Sequence, residues 1–195
     1  MGSLHRFRDA VERGWPHPLA VEEHTHAGMC ARYVAGASGL PFAVLRGYAG
    51  TSLAEHSTVT DVTCPFTGER LTAVPALNPD VTIVHAQQAD RRGNVQYWGI
   101  LGVQKEAVLA ARCAIVTVEE IVDELEPRPG GVVVPTWTLD TVCEARGGAH
   151  PSYAQGHSVR DNEFYVAWDS ISRDRAVFLR WLDENVLGQS TGVAG

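Results

Sequence analysis

CPFTGERLTAVPALNPDVTIVHAQQADRRGNVQYWGILGVQKEAVLAARCAIVTVEEIVD, residues 64 to 123, is the stretch whose reading decides the fold. Asp80-Val-Thr-Ile-Val-His85 is a near-continuous apolar run, the pattern of a strand covered on both faces. Asp90-Arg-Arg-Gly-Asn94 is turn chemistry, because Gly93 and Asn94 tolerate positive φ. Gln104 to Arg112 then reads as a helix with Ala107, Val108 and Ala111 inward. Ala114 to Val118 is the next buried strand, with Glu119-Glu120 at its C-terminal end. Strand, turn, helix and strand in that order predict an α/β fold with a mostly parallel sheet flanked by helices.

Working outward, Val132-Val133-Val134 is a third β-branched run, introduced by Gly130-Gly131 and closed by Pro135. Upstream, Leu4 to Gly14 reads as a short amphipathic helix with Phe7, Ala10 and Val11 on one face. Leu19 to Thr25 reads as a short strand, Gly28 to Ala37 as a small-residue helix, and Phe42 to Arg46 as another strand. The loop Arg46-Gly47-Tyr48-Ala49-Gly50-Thr51 follows. In an open parallel sheet, such a position lines the ligand crevice. From Gly147 the chain is loop-rich, and a helix near Asp174–Leu187 closes it, with a stripe of Val177/Phe178, Trp181/Leu182 and Asn185/Val186.

A chain of 195 residues supports one domain with a sizeable core. The expected organisation is a single domain over 1–195, with the loop and helix of 147–195 packing on it. The net charge of −7, with Lys105 the only lysine, argues against a nucleic-acid partner, which needs a concentrated basic surface. The chain lacks the long apolar run a membrane helix needs and a signal-peptide core, so no membrane association and a cytoplasmic location are expected. Cys30, Cys64, Cys113 and Cys143 are widely separated and form no CxxC pair, which reads as neither a zinc site nor a disulfide framework. Dinucleotide, P-loop, GxSxG and HExxH signatures are all missing.

Three groups of residues carry candidate chemistry. In Glu22-Glu23-His24-Thr25-His26, an extended backbone places Glu22 on one face with His24 and His26, and Glu23 on the other. A half-buried glutamate there acts as a general base toward water, or else the acids form a salt-bridged strand end. H-x-H alone does not define a metal site, and no metal is expected. Glu119 and Glu120, at the end of a buried strand, suit a substrate site or the start of the next turn. Arg46 grips a carboxylate or phosphate with its planar fork, or pairs with an acid such as Glu23.

The blocks PFTGE (65–69), VPALNPDV (74–81), DRRGNVQ (90–96), VQKEA (103–107) and VTVEEIVDEL (116–125) resemble the alpha subunits of the class I CoA-transferase superfamily, of the glutaconate CoA-transferase type. EEHTHAGM (22–29), LPFAVLRGY (40–48) and GGAHPSYAQG (147–156) are similar to one branch, the alpha subunit of the actinobacterial cholesterol ring-opening CoA-thioester hydrolase. The resemblance implies a homologous beta subunit, an α2β2 heterotetramer and an active site between the two chains. It implies coenzyme A as part of the substrate and no permanently bound cofactor. In the hydrolase branch, water attacks a ring ketone and the departing carbon leaves as an enolate beside the thioester. Glu23, or Glu22, is then the carboxylate that promotes the step, and Arg46 orients substrate or holds that glutamate's charge state. Apart from the resemblance, Tyr48 in the loop after Phe42 to Arg46, and Glu119 and Glu120, are expected to contact substrate. The alternatives are a CoA-transferase alpha subunit that moves CoA between carboxylic acids, and an inactive truncated or structural subunit. The family pattern also implies a further N-terminal segment, so that residues 1–195 correspond to a shortened domain.

Overall fold

The computed structural model describes residues 4–188, which divide into two compact units: 22–159, and 4–21 with 160–188. The larger unit contains α2 (His26–Ala37), β1 (Phe42–Leu45), a single turn α3 (Leu53–His56), β2 (Thr60–Thr63) and β3 (Arg70–Pro75). These are followed by β4 (Val81–Asp90), β5 (Val95–Tyr97), α4 (Gln104–Ala110), β6 (Cys113–Val122), β7 (Val132–Val134) and β8 (Thr141–Glu144).

The expected α/β architecture is present. β4, β6 and β8 run parallel, β5 is reversed and pairs antiparallel with both β4 and β7, and the order is β7-β5-β4-β6-β8. β4 and β6 are each ten residues long and register Val81 with Cys113 through to Asp90 with Val122. Alternate residues Ala114, Val116 and Val118 of β6 face a core shared with Ala86, Ala89, Val95, Tyr97, Val134 and Val108 of α4. Fully burying a valine contributes roughly 1.5–3 kcal/mol, so this β-branched layer is a main source of the unit's stability. The hairpin between β4 and β5 is set by Asp90, whose carboxylate accepts the amides of Arg92 and Asn94 (both 2.9 Å) and the Asn94 side chain (2.8 Å). Gly36 lets α2 approach α4 closely: an added Cβ would lie 2.3 Å from the Leu77 carbonyl and 3.1 Å from Ala110 Cβ.

Several expectations are corrected. Leu19 to Thr25 is not a strand. It is irregular, and α2 begins earlier than expected, at His26, because the Thr25 side chain caps it by accepting the Gly28 amide (2.9 Å). β1 belongs to a separate three-stranded antiparallel sheet, β1-β3-β2, so Arg46 does not stand at the end of a parallel strand. Glu119 and Glu120 lie within β6, four and three residues from the start of the turn after Val122, rather than beyond the strand.

In the smaller unit are α1 (His5–Arg13), α5 (Asn162–Arg173) and α6 (Arg175–Leu182), the last running into a π-turn over Asp183–Leu187. α1 ends at Gly14 as read, with φ 65°. Its buried residue is Asp9, however, while Phe7 and Val11 are exposed. Arg175 Nε donates to Asp9 at 2.8 Å, and Arg6 and Arg13 pair with the same carboxylate. The predicted closing stripe is only half there: Phe178, Trp181 and Leu182 are half-buried, whereas Val177, Asn185 and Val186 are exposed. Trp168 and Trp181 meet edge to face, 4.9 Å between centroids, with Phe164 stacked on Trp168.

Candidate active site

The residues before α2 gather into one hydrogen-bonded group. The His24 side chain is 1 % exposed. Its Nδ1 lies 2.8 Å from the Tyr48 hydroxyl, and its Nε2 lies 2.9 Å from Glu22 Oε1. Arg32, two turns along α2, places Nη1 2.7 Å from the same Nε2 and 3.7 Å from Glu22 Oε2, and its Nε donates to the Pro75 carbonyl. The Thr58 amide donates to Glu22 Oε1 at 2.9 Å. Hydrogen bonds from Thr58, first from its side chain and then from its backbone, together with one from His24, pull the Glu22 carboxyl down from the ordinary 4.5 to about 2. Glu22 is therefore ionised throughout the neutral range.

Tyr48 reaches His24 from an unusual backbone. Its φ is 74°, a region bulky side chains rarely occupy, and strain of this kind costs of order 1–3 kcal/mol. Its carbonyl accepts both the Thr51 amide (3.0 Å) and the Thr51 hydroxyl (2.7 Å), which fixes the turn. The ring is 3 % exposed and rests on Gly28, where a Cβ would fall 1.8 Å from the hydroxyl. Only glycine at position 28 leaves room for the phenol against the first turn of α2.

Glu23 differs from its neighbour. Its backbone carbonyl accepts the Ser57 hydroxyl, so the main chain is pinned. The side chain is exposed, and its carboxylate makes no hydrogen bond or ion pair among the described residues. Glu22, by contrast, has its carboxylate committed internally.

The other candidates lie elsewhere. Arg46 is paired with Glu69, not Glu23, through two bonds of 2.7 and 2.8 Å, and is 78 % exposed. Glu119 is 5 % exposed and belongs to a second group on β4 and β6. Its Oε1 lies 2.9 Å from His85 Nε2, its Oε2 accepts the Gly147 amide at 2.7 Å, and His85 Nδ1 lies 2.8 Å from Thr117 Oγ1. Burial raises the Glu119 carboxyl, but the Gly147 amide and His85 outweigh it, and the net shift is downward. Glu120 accepts from Gln88 across the sheet. The structure thus brings Glu22, His24 and Tyr48 together, with Glu23 beside them, and puts Glu119 and Glu120 in a separate cluster. Sequence reading missed Arg32, Thr58 and Glu69, whose roles arise from contacts between distant segments. His85 was met only as a strand-end histidine. Among the described residues no group of three His, Cys, Asp or Glu side chains is placed to hold a metal, and no helix is long and apolar enough to cross a membrane.

Residues 15–145 match the family Coenzyme A transferase, and the chain belongs to it, with the alpha-type chains. It is 60% identical over 189 residues to one of the subunits of the 3-oxoadipate CoA-transferase of Pseudomonas knackmussii, covering 96% of this chain and 67% of that one. The crystal structure of glutaconate coenzyme A-transferase from Acidaminococcus fermentans superposes with a TM-score of 0.85 at 29% identity, covering 97% of this chain and 67% of that one. The cholesterol ring-cleaving hydrolase IpdA subunit of Mycobacterium tuberculosis is 30% identical over 146 residues, covering 67% of this chain and 49% of that protein. The chain thus spans about two thirds of the length of the first two relatives and half of the third. The identity to the transferase subunit is twice that to the hydrolase subunit.

Proposed function

We propose that this chain is the alpha-type half of a two-chain CoA-transferase that moves coenzyme A between carboxylic acids, one of them a 3-oxo dicarboxylate of the 3-oxoadipate kind. The single observation that carries the substrate class is the 60% identity, over nearly the whole chain, to its counterpart in the 3-oxoadipate CoA-transferase. In the net exchange, the acyl–sulfur bond of one thioester breaks and releases its acid. The acceptor carboxylate loses one oxygen to that acid and takes the sulfur of coenzyme A. Coenzyme A enters as part of the substrate, and no resident cofactor is required. A homologous beta subunit completes the site, since the transferase relatives are themselves subunits of larger enzymes.

In this reading Glu23 faces the shared site, and the Glu22–His24–Tyr48 group fixes the loop that presents it. Glu22, ionised and saturated with donors, serves position rather than proton transfer. A second reading, ring-opening hydrolysis assisted by Glu23, is favoured by the 30% identity to the ring-cleaving hydrolase. Co-expression with a beta chain separates the two. CoA exchange that needs an acceptor acid such as 3-oxoadipate supports transfer. Loss of a ring β-keto thioester without any acceptor supports hydrolysis.

A further inference from the structure

β4 is the middle strand of the five-stranded sheet, yet one of its edges is open over most of its length. On one side β6 accompanies it from Val81 to Asp90. On the other, β5 pairs only with Gln88 and Ala89. The chain then leaves the sheet after Tyr97, and the Gln87 side chain takes up the Trp98 backbone. Val81 to Ala86 therefore have a strand on one side and none on the other.

The ladder fixes which backbone groups face that edge. Cys113 of β6 donates to the Asp80 carbonyl at 3.1 Å. The carbonyls of Ala114 and Val118 point the opposite way, accepting from Asp140 (2.9 Å) and Ala145 (2.7 Å) at the two ends of β8. Successive residues of a strand turn their amide and carbonyl to alternate edges. Thr82, Val84 and Ala86 thus bond to β6, and Val81, Ile83 and His85 turn theirs to the open side. The backbone groups of those three residues have no partner among the described residues.

The edge is also apolar and unguarded. Ile83 is 71 % exposed, although it sits on the central strand, and Val81 is exposed beside it. Open edges are ordinarily protected by lysine, other charges or proline, and Val81 to Ala86 carry none of these. A slot of about 470 Å³ runs alongside, lined by β4, by Val103 and Gln104 at the start of α4, and by Tyr33 of α2. None of its lining residues is charged. The charges nearby are paired with each other, Lys105 with Glu106 at 3.5 Å and Arg112 with Asp80 at 3.6 Å.

Such an edge fits an extended, uncharged segment of about five or six residues, whose backbone completes the ladder while its apolar side chains enter the slot. A third of each of the two transferase chains lies outside its match to this one, and is long enough to supply such a segment. We propose that Val81 to His85 form a strand-docking edge, and that its occupant is a strand from that unmatched third of an alpha-type chain. The proposal rests on the open ladder and is independent of which acids the enzyme exchanges.

Amide-resolved hydrogen exchange of the full chain tests it, with and without short overlapping peptides covering the unmatched third of the Pseudomonas knackmussii subunit. In the chain alone, the amides of Thr82, Val84 and Ala86 should be protected, and those of Val81, Ile83 and His85 should exchange quickly. One peptide should bind and slow the second set at least about tenfold. Ile83→Pro removes an amide that no described neighbour uses, so the variant should melt close to the parent yet bind that peptide at least about tenfold more weakly. N-methylation of alternate residues of the peptide, which leaves the chain itself untouched, should weaken binding likewise. The proposal would be overturned if no peptide bound, if protection fell elsewhere, or if binding survived both the proline and the methyl groups. Protection of the edge that grows with concentration in the chain alone would also overturn it, by making a second copy the occupant. CoA exchange with a beta chain judges the transferase reading separately.

Discussion

The Tyr48 hydroxyl lies 2.8 Å from His24 Nδ1, across twenty-four residues of sequence, and joins a strained loop to the segment that carries Glu22 and Glu23. The bond accounts for the φ of 74° at Tyr48, since a conformation this unfavourable persists only when its surroundings hold it. Tyr48→Phe should leave His24 Nδ1 buried without its partner and cost about 1–3 kcal/mol. Urea unfolding of the two forms measures it. An unchanged midpoint would show that the bond does not hold the loop.

Gly28 is the space Tyr48 occupies. Gly28→Ala would set a Cβ 1.8 Å from the phenol oxygen and 2.8 Å from its ring carbon, so the ring must leave. Overpacking of this kind costs about 1–3 kcal/mol, and here the cost of the broken His24 bond is added. Gly28→Ala combined with Tyr48→Ala should recover part of the loss, because the clash is then gone. A double variant no better than the single one would contradict the packing.

Acid stability carries the signature of Glu22. Its carboxyl sits at about 2 in the folded chain against an ordinary 4.5, so the folded state binds this proton less readily. The stabilisation is present in full above 4.5 and fades as pH falls toward 2. Glu22→Gln should be less stable than the parent at pH 7, and its stability should fall less as pH drops from the ordinary carboxyl value toward the folded one. Parallel curves for the two proteins would show that Glu22 is not held ionised by Thr58 and His24.

Glu119 reads as a support. Its two oxygens join His85 on β4 to the Gly147 amide after β8. Glu119→Leu should strand both donors and lower stability by about 2–3 kcal/mol, while Glu119→Gln keeps an acceptor for Gly147 and costs less. CoA exchange by a Glu119→Gln complex should stay within severalfold of the parent. A drop of a thousandfold with unchanged stability would place Glu119 in the chemistry instead.

Much of the fold was legible because local pattern and tertiary role coincide. The apolar runs of β4 and β6, the Asp90–Asn94 turn and the helix from Gln104 are each determined by periodicity or turn chemistry that the folded chain keeps. The three-stranded sheet was not legible. β3 begins with Arg70 and ends with Pro75, and β2 reads Thr-Asp-Val-Thr, neither a strong strand pattern. α5 escaped for the opposite reason: Phe, Tyr, Val, Trp and Ile read equally well as strand, and its start depends on the Asp161 side chain capping Phe164 (2.8 Å). At the site, Glu22 and His24 do meet, but on an irregular segment and not on the strand that period-two alternation implied. Alternation could not supply Tyr48, Arg32 or Thr58, because no local rule specifies which distant loop closes on a given histidine.

CoA exchange by the chain assembled with its beta partner, assayed with a dicarboxylic acyl-CoA donor and 3-oxoadipate, bears most directly on the central claim. Transfer should require both acids. Glu23→Gln, which removes the charge facing the shared site, should reduce it, while Glu22→Gln, acting through position, reduces it less and mainly through stability. Thioester loss at full rate without any acceptor acid, or exchange untouched by Glu23→Gln, would contradict the account.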